Sequence, residues 1–173
     1  QDDLHRLYEK VRAYAAPIHV RPQDRDISEI VRKAWDDVVA VHGERNARLE
    51  ELISCNDLHC EVDAFAIGQV FRNIFENALQ ACSDPVEIHV DYTDIVYTAW
   101  PTISISIRDN GPGLPSEKAE RVFDSFFTTK TEGTGLGMAI AQRIVQTHGG
   151  RITANSNSEQ GAEFVVTLPR KQP

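Results

Sequence analysis

Helical and strand periodicities are interleaved along this chain without a strand–helix–strand alternation. One long stretch rich in Gly, Pro, Thr and charge interrupts them, from Asp109 to about Thr134. The missing alternation argues against a parallel doubly wound sheet. It predicts an α+β fold, a two-layer α/β sandwich whose mixed, mostly antiparallel sheet is covered on one face by helices. A loop of that length inside a compact domain is usually functional, often a lid.

Residues 3 to 16 read as an amphipathic helix with Leu4, Leu7, Tyr8, Val11 and Ala15 on one stripe and Pro17 as its stop. Asp26-Ile27-Ser28-Glu29 predicts a capped start to a second helix, with Ile27, Ile30, Val31, Ala34, Val38 and Val41 as its apolar face. Leu49 to Ile53 and Leu58 to Val62 are short strand candidates around an Asn56-Asp57 turn. Asp63 is placed to cap a third helix, about 64 to 82, burying Ile67, Val70, Phe71, Ile74, Ala78 and Ala81. The alternations Val86 to Tyr92 and Ile103 to Ile107 read as half-buried antiparallel strands. The 109–134 loop is expected to hold at most one helical turn. A fourth helix, about Leu136 to His148, precedes strands at Arg151 to Ser156 and Ala162 to Leu168.

With 173 residues the chain is long enough for one domain with a sizeable core. A net charge of −8 without a Lys/Arg cluster argues against nucleic acid as a partner. No stretch approaches the ~20 apolar residues of a membrane span, so no direct membrane insertion is expected. Cys55, Cys60 and Cys82 lack C-x-x-C spacing and read as reduced thiols of a cytoplasmic protein. A chain opening on Gln1 reads as a piece of something longer.

Candidate chemistry lies in four segments. On the third helix Gln69, Asn73, Asn77 and Gln80 form a polar stripe between apolar flanks. Such a stripe can be a solvated edge, but Asn is a mediocre helix former and has no reason to recur mid-helix. Its side-chain oxygen is a hard neutral ligand suited to Mg²⁺, which bridges to substrate phosphates. Asn77 is the candidate metal ligand, with Asn73 one turn away in support.

Asp109 follows a strand and precedes Gly111, Gly113 and Leu114. A carboxylate there can accept from an exocyclic amine such as adenine's, and the glycines let a flat base approach. A plain turn and a calcium loop are the other readings; Leu114 stands where a calcium loop needs Gly. Gly133-Thr134-Gly135-Leu136-Gly137 opens the fourth helix, either as a phosphate cradle or as a simple helix start. Lys130 can add a positive charge to the same phosphates. Phe123, Phe126 and Phe127 are too apolar for a solvated loop and are expected to dock part of it.

The segments Arg72 to Asn77, Asp109 to Gly113, Phe126 to Lys130 and Gly133 to Gly137 together resemble the N, first G, F and second G boxes of the sensor histidine kinase catalytic domain. That domain is a member of the gyrase B, Hsp90, MutL and histidine kinase superfamily. Asn77-Ala78-Leu79-Gln80-Ala81 and Phe126-Phe127-Thr128-Thr129-Lys130 are most similar to the nitrogen-regulator type. The resemblance covers about residues 24 to 169. It implies ATP and Mg²⁺ as cofactors, Asn77 on the metal, Asp109 on the adenine amine, and an ATP lid at about 111–134.

It also implies that residues 1–17 are the end of a dimerisation hairpin and 18–173 the catalytic domain. The phosphoacceptor histidine lies outside the chain, because the residues after His5 lack the family's pattern. The implied partners are that helical hairpin and a response-regulator receiver domain. The isolated chain is then not expected to autophosphorylate. Relatives that hydrolyse ATP place a water-activating Glu where this chain has Asn73. Ala162 stands where many relatives have Thr, and Gln80 where many have Lys.

Overall fold

The computed structural model describes residues 16–43, 45–97, 100–128, 134–155 and 161–171. The expected first helix, His5, Lys130 and Gly133 lie outside the described residues. Within them the order is β1 (Gln23–Asp26), α1 (Ile27–Val41), β2 (Ala47–Ile53), β3 (His59–Val62), α2 (Ala64–Ala81), β4 (Val86–Tyr97) and β5 (Trp100–Asp109). Then follow α3 (Ser116–Arg121), α4 (Gly137–Thr147), β6 (Arg151–Asn155) and β7 (Glu163–Pro169).

Five strands form one sheet in the order β2-β4-β5-β7-β6, parallel only where β2 meets β4. The strand period of two sorts its residues onto two faces. Ile88, Val90 and Tyr92 of β4, Ile103, Ile105 and Ile107 of β5, and Phe164, Val166 and Leu168 of β7 are all buried. Their registers align, as in Val90↔Ile107↔Phe164 and Tyr92↔Ile105↔Val166. Against this face pack Val31, Ala34 and Val38 of α1, Phe71, Ile74 and Ala78 of α2, and Ala141, Ile144 and Val145 of α4. Trp35 and Phe75 join α1 to α2 edge to face, their ring centroids 5.4 Å apart. The expected two-layer sandwich is the observed one.

Both long-helix caps come out as read. Asp26 Oδ1 accepts from the Ser28 amide at 2.8 Å, and Asp63 Oδ1 from Phe65 and Ala66 at 3.1 Å. Val41 differs: it is 81% exposed, because α1 runs past the edge of the core it covers. Ala81 is exposed for the same reason at the end of α2.

The segments around Asn56-Asp57 are not a hairpin. β2 joins the main sheet beside β4, whereas β3 pairs with β1 in a separate two-stranded sheet. The loop after Asp109 holds a six-residue helix, α3, longer than the single turn expected. Pro115 precedes it, Glu117 lies in its first turn and Lys118 and Arg121 in its last, which suits the helix dipole.

Candidate nucleotide-binding site

The third helix of the sequence reading is α2, and Asn73 of its polar stripe meets the start of α4. Asn73 Nδ2 donates to the Gly137 carbonyl at 2.8 Å. Asn73 thus spans the gap between the two helices, and a Cβ at residue 137 would lie in ordinary contact with its amide, at 3.6 Å. Asn77 is half-buried one turn further along the same face, while Glu76, a residue away, is exposed.

Asp109 ends β5 and is only 8% exposed. Its Oδ1 accepts two backbone N–H groups, from Gly111 and Ala162, each at 2.9 Å. Its own amide donates to the Ala162 carbonyl at 3.0 Å. The carboxylate is therefore locked by main chain from both sides, one contact local and one from the start of β7. Ala162, which stands where many relatives have Thr, contributes through its backbone.

The approach is close enough to require glycine. Gly161 has φ +88°, and a Cβ on it would fall 1.5 Å from the Asp109 carbonyl oxygen. A Cβ on Gly111 would lie 2.8 Å from Cys82 Sγ. Gly113 also has positive φ, and Leu114 beside it packs on the core.

Leu136 is fully buried immediately before α4, and Gly137 is the first helical residue. Four N–H groups at a helix start have no partner within the helix, which is the basis for an anion site here. Gly135 takes φ +65° and its carbonyl accepts from the Phe126 amide at 3.0 Å, with Phe126 itself at φ 67°. A Cβ on Gly135 would meet the Phe126 backbone at 2.5 Å. This pair thus ties the Phe-rich part of the loop to the residue that follows its end. Thr134 is half-buried beside it.

The three phenylalanines divide. Phe123 stacks edge to face on Phe164 at 6.5 Å, and Phe127 lies under the Arg121 guanidinium at 4.5 Å. Phe126 does not dock: it is 57% exposed, its left-handed backbone turning the ring outward.

Two supports escaped the sequence reading. Arg45 closes the end of α2, donating to the carbonyls of Leu79 at 2.6 Å and Cys82 at 2.9 Å, with Asp84 as its counter-charge at 2.6 Å. His148 is fully buried, receives the Asp63 amide at Nε2 (3.0 Å), and reaches the Ile144 carbonyl through Nδ1 at 2.8 Å. A ring nitrogen that accepts an amide proton carries none, so the Nδ1–H tautomer is the one present. It joins the last turn of α4 to the cap of α2.

Among the described residues no group of three or more His, Cys, Asp or Glu could hold a metal. A metal at Asn77 would depend on a ligand's own oxygens. That fits Mg²⁺ arriving with phosphates and not a dedicated protein cage.

The profile of the histidine kinase-, DNA gyrase B- and HSP90-like ATPases matches residues 62–172, well over half of the chain. The chain belongs to this family. Every element of the site from α2 to β7 falls inside the matched span. As a histidine kinase-type ATP-binding domain it is similar to the sensor histidine kinase ZraS of Escherichia coli, 32% identical over 179 residues. That likeness covers 99% of this chain and 38% of ZraS, so the chain spans under two fifths of that relative's length.

Among solved structures, the catalytic domain of histidine kinase ThkA superposes with TM-score 0.75 at 29% identity, over 88% of this chain and 97% of that one. ThkA in complex with the response regulator TrrA superposes with TM-score 0.79 at 26% identity, over 98% of this chain and 48% of the other. These likenesses do not establish the nitrogen-regulator type suggested by Asn77 to Ala81.

Proposed function

We propose that this domain binds Mg-ATP between α2, the Asp109 turn and the start of α4, and presents its γ-phosphate to a histidine on a helical hairpin. The single observation that carries this is the Asp109 carboxylate, nearly buried and fixed through Oδ1 by the Gly111 and Ala162 amides. Among the described residues no ion pair reaches this carboxylate, and two main-chain N–H groups offset only part of the cost of burying it. Adenine's exocyclic amine supplies a further donor and is thereby selected.

The other roles follow from placement. Asn77 offers a hard oxygen to Mg²⁺, whose charge offsets that of the phosphates. The N–H groups opening α4 receive the phosphates, with Thr134, Gly135, Leu136 and Gly137 leaving room for them, and Gly133 and Lys130 completing the cradle. Residues 111–134 act as the lid. Phosphoryl transfer needs mainly positioning and charge neutralisation, which such a set supplies. Asn73 argues against hydrolysis: an amide engaged with the Gly137 carbonyl has no general-base chemistry, and Glu76 points elsewhere.

Residues 1–17 are the end of a dimerisation hairpin in this reading, and 18–173 the catalytic domain. Relay to a response-regulator aspartate goes with it, in line with the ThkA–TrrA complex, and a cytoplasmic location does too. Calorimetric titration with ADP and a non-hydrolysable ATP analogue, with and without Mg²⁺, tests the site. Asn77→Ala is expected to abolish the metal-dependent part of binding. Equal binding by that variant would overturn the metal role. Radiolabel from ATP appearing on the isolated chain would overturn the separate-acceptor reading.

A further inference from the structure

Cys82 has no assigned part in the site, yet it lies against its most constrained group. The residue follows the last turn of α2 and is 7% exposed. Its backbone is pinned at both ends: the amide donates to Ala78 at 2.9 Å and the carbonyl accepts from Arg45 at 2.9 Å. The side chain lies against the turn that follows Asp109. The position of a Cβ on Gly111 is 2.8 Å from Cys82 Sγ and 3.1 Å from Asp109 Oδ1, so sulfur and carboxylate share the small space that glycine leaves.

The buried thiol thus lies beside the Asp109 carboxylate and the backbone of Asn110. Burial first, and then the Asp109 charge, push the thiol up to about 12, so it keeps its proton at neutral pH and has an S–H to donate.

We propose that Cys82 is a positioning residue for nucleobase recognition: its S–H donates to Asp109 and, with the Gly111 and Ala162 amides, fixes how the carboxylate meets the exocyclic amine of an adenine nucleotide. The inference rests on the nucleotide reading of Asp109. It extends that reading to a residue on a different element, so that the end of α2 sets the orientation of a group at the end of β5. It also gives a reason for glycine at 111, since any side chain there would displace the sulfur.

The test compares ADP with IDP, in which a carbonyl oxygen replaces the amine, on wild type, Cys82→Ser, Cys82→Val and Cys82→Ala. Melting curves of the same samples report folding. A thiol or hydroxyl donor preserves the ADP preference; removing the donor is expected to weaken ADP about fivefold, the scale of one hydrogen bond, and to leave IDP within about twofold. Loss of preference in the Val and Ala variants with retention in Ser supports the proposal. Unchanged preference in Val and Ala, or a loss in Ser equal to theirs, overturns it. A wild type with no ADP preference would instead overturn the reading of Asp109 itself.

Discussion

Asn73 Nδ2 meets the Gly137 carbonyl at 2.8 Å, so a side chain from the middle of α2 holds the first residue of α4. The pair sits where metal-binding and phosphate-binding groups would have to face each other. Its geometry sets the distance between them.

Replacing that amide separates its two effects. Asn73→Ala removes the donor and is expected to cost about 1 kcal/mol of stability. Asn73→Asp should cost more, because a carboxylate oxygen then opposes the carbonyl. Urea denaturation reads the stability, and ADP titration should show Asp weaker than Ala, and Ala weaker than wild type.

Gly161→Ala is predicted to be severe. A Cβ there coincides with the Asp109 carbonyl oxygen at a φ of +88°, so β5 and β7 must separate locally. A loss of about 3 kcal/mol or more is expected, with nucleotide binding falling in step. Chemical denaturation of the variant beside Gly43→Ala, whose Cβ would meet only the Ala40 oxygen at 3.8 Å, gives the contrast.

On the far face of the sheet, Glu163 gives the fold an acid-sensitive contact. Burial alone would raise its pKa, but hydrogen bonds from Asn155, Arg108 and Ser106 outweigh that and hold it at about 2, against an ordinary 4.5. A depressed carboxylate stabilises the fold fully above the unfolded pKa and loses that effect as pH falls toward the folded one. Stability should therefore decline between about pH 5 and pH 2, by about 1–2 kcal/mol from this group after solvent screening. Glu163→Gln should flatten that part of a stability-against-pH curve and lower the plateau at pH 7.

The buried ring of His148 ties α4 to the cap of α2. His148→Ala leaves the Asp63 amide and the Ile144 carbonyl without this partner, and about 2–3 kcal/mol of stability should go with it. Amide exchange at the start of α2 should speed up more than exchange in β4, a contrast that general destabilisation would not give.

Much of this was legible in the residues themselves. Asp26 and Asp63 announced two helix starts because capping chemistry is local. The alternation from Ile103 to Ile107 announced a half-buried strand for the same reason. Pairing is not local, and the residues gave no guide to it. The strands on either side of Asn56-Asp57 were legible but their partners were not: β2 pairs with β4, with Asn46 meeting Val86 across 40 residues, and β3 pairs with β1. β1, Gln23-Asp24-Arg25-Asp26, has no apolar alternation and gave no signal at all.

The site divides similarly. Asn73, Asn77 and Asp109 could be named from residue type and spacing. The supports of Asp109 could not, since a backbone amide at Ala162 and a thiol at Cys82 carry no sequence signature for that task.

The bond from Ala162 to Asp109 spans 53 residues and comes from the start of the last strand. A growing chain on the ribosome thus carries Asp109, the acid proposed to meet the base, before the strand that aims it. The acid is correctly oriented only once β7 has emerged and docked. On the proposed function, a domain ending before that strand would not recognise adenine, so competence to bind waits for β7.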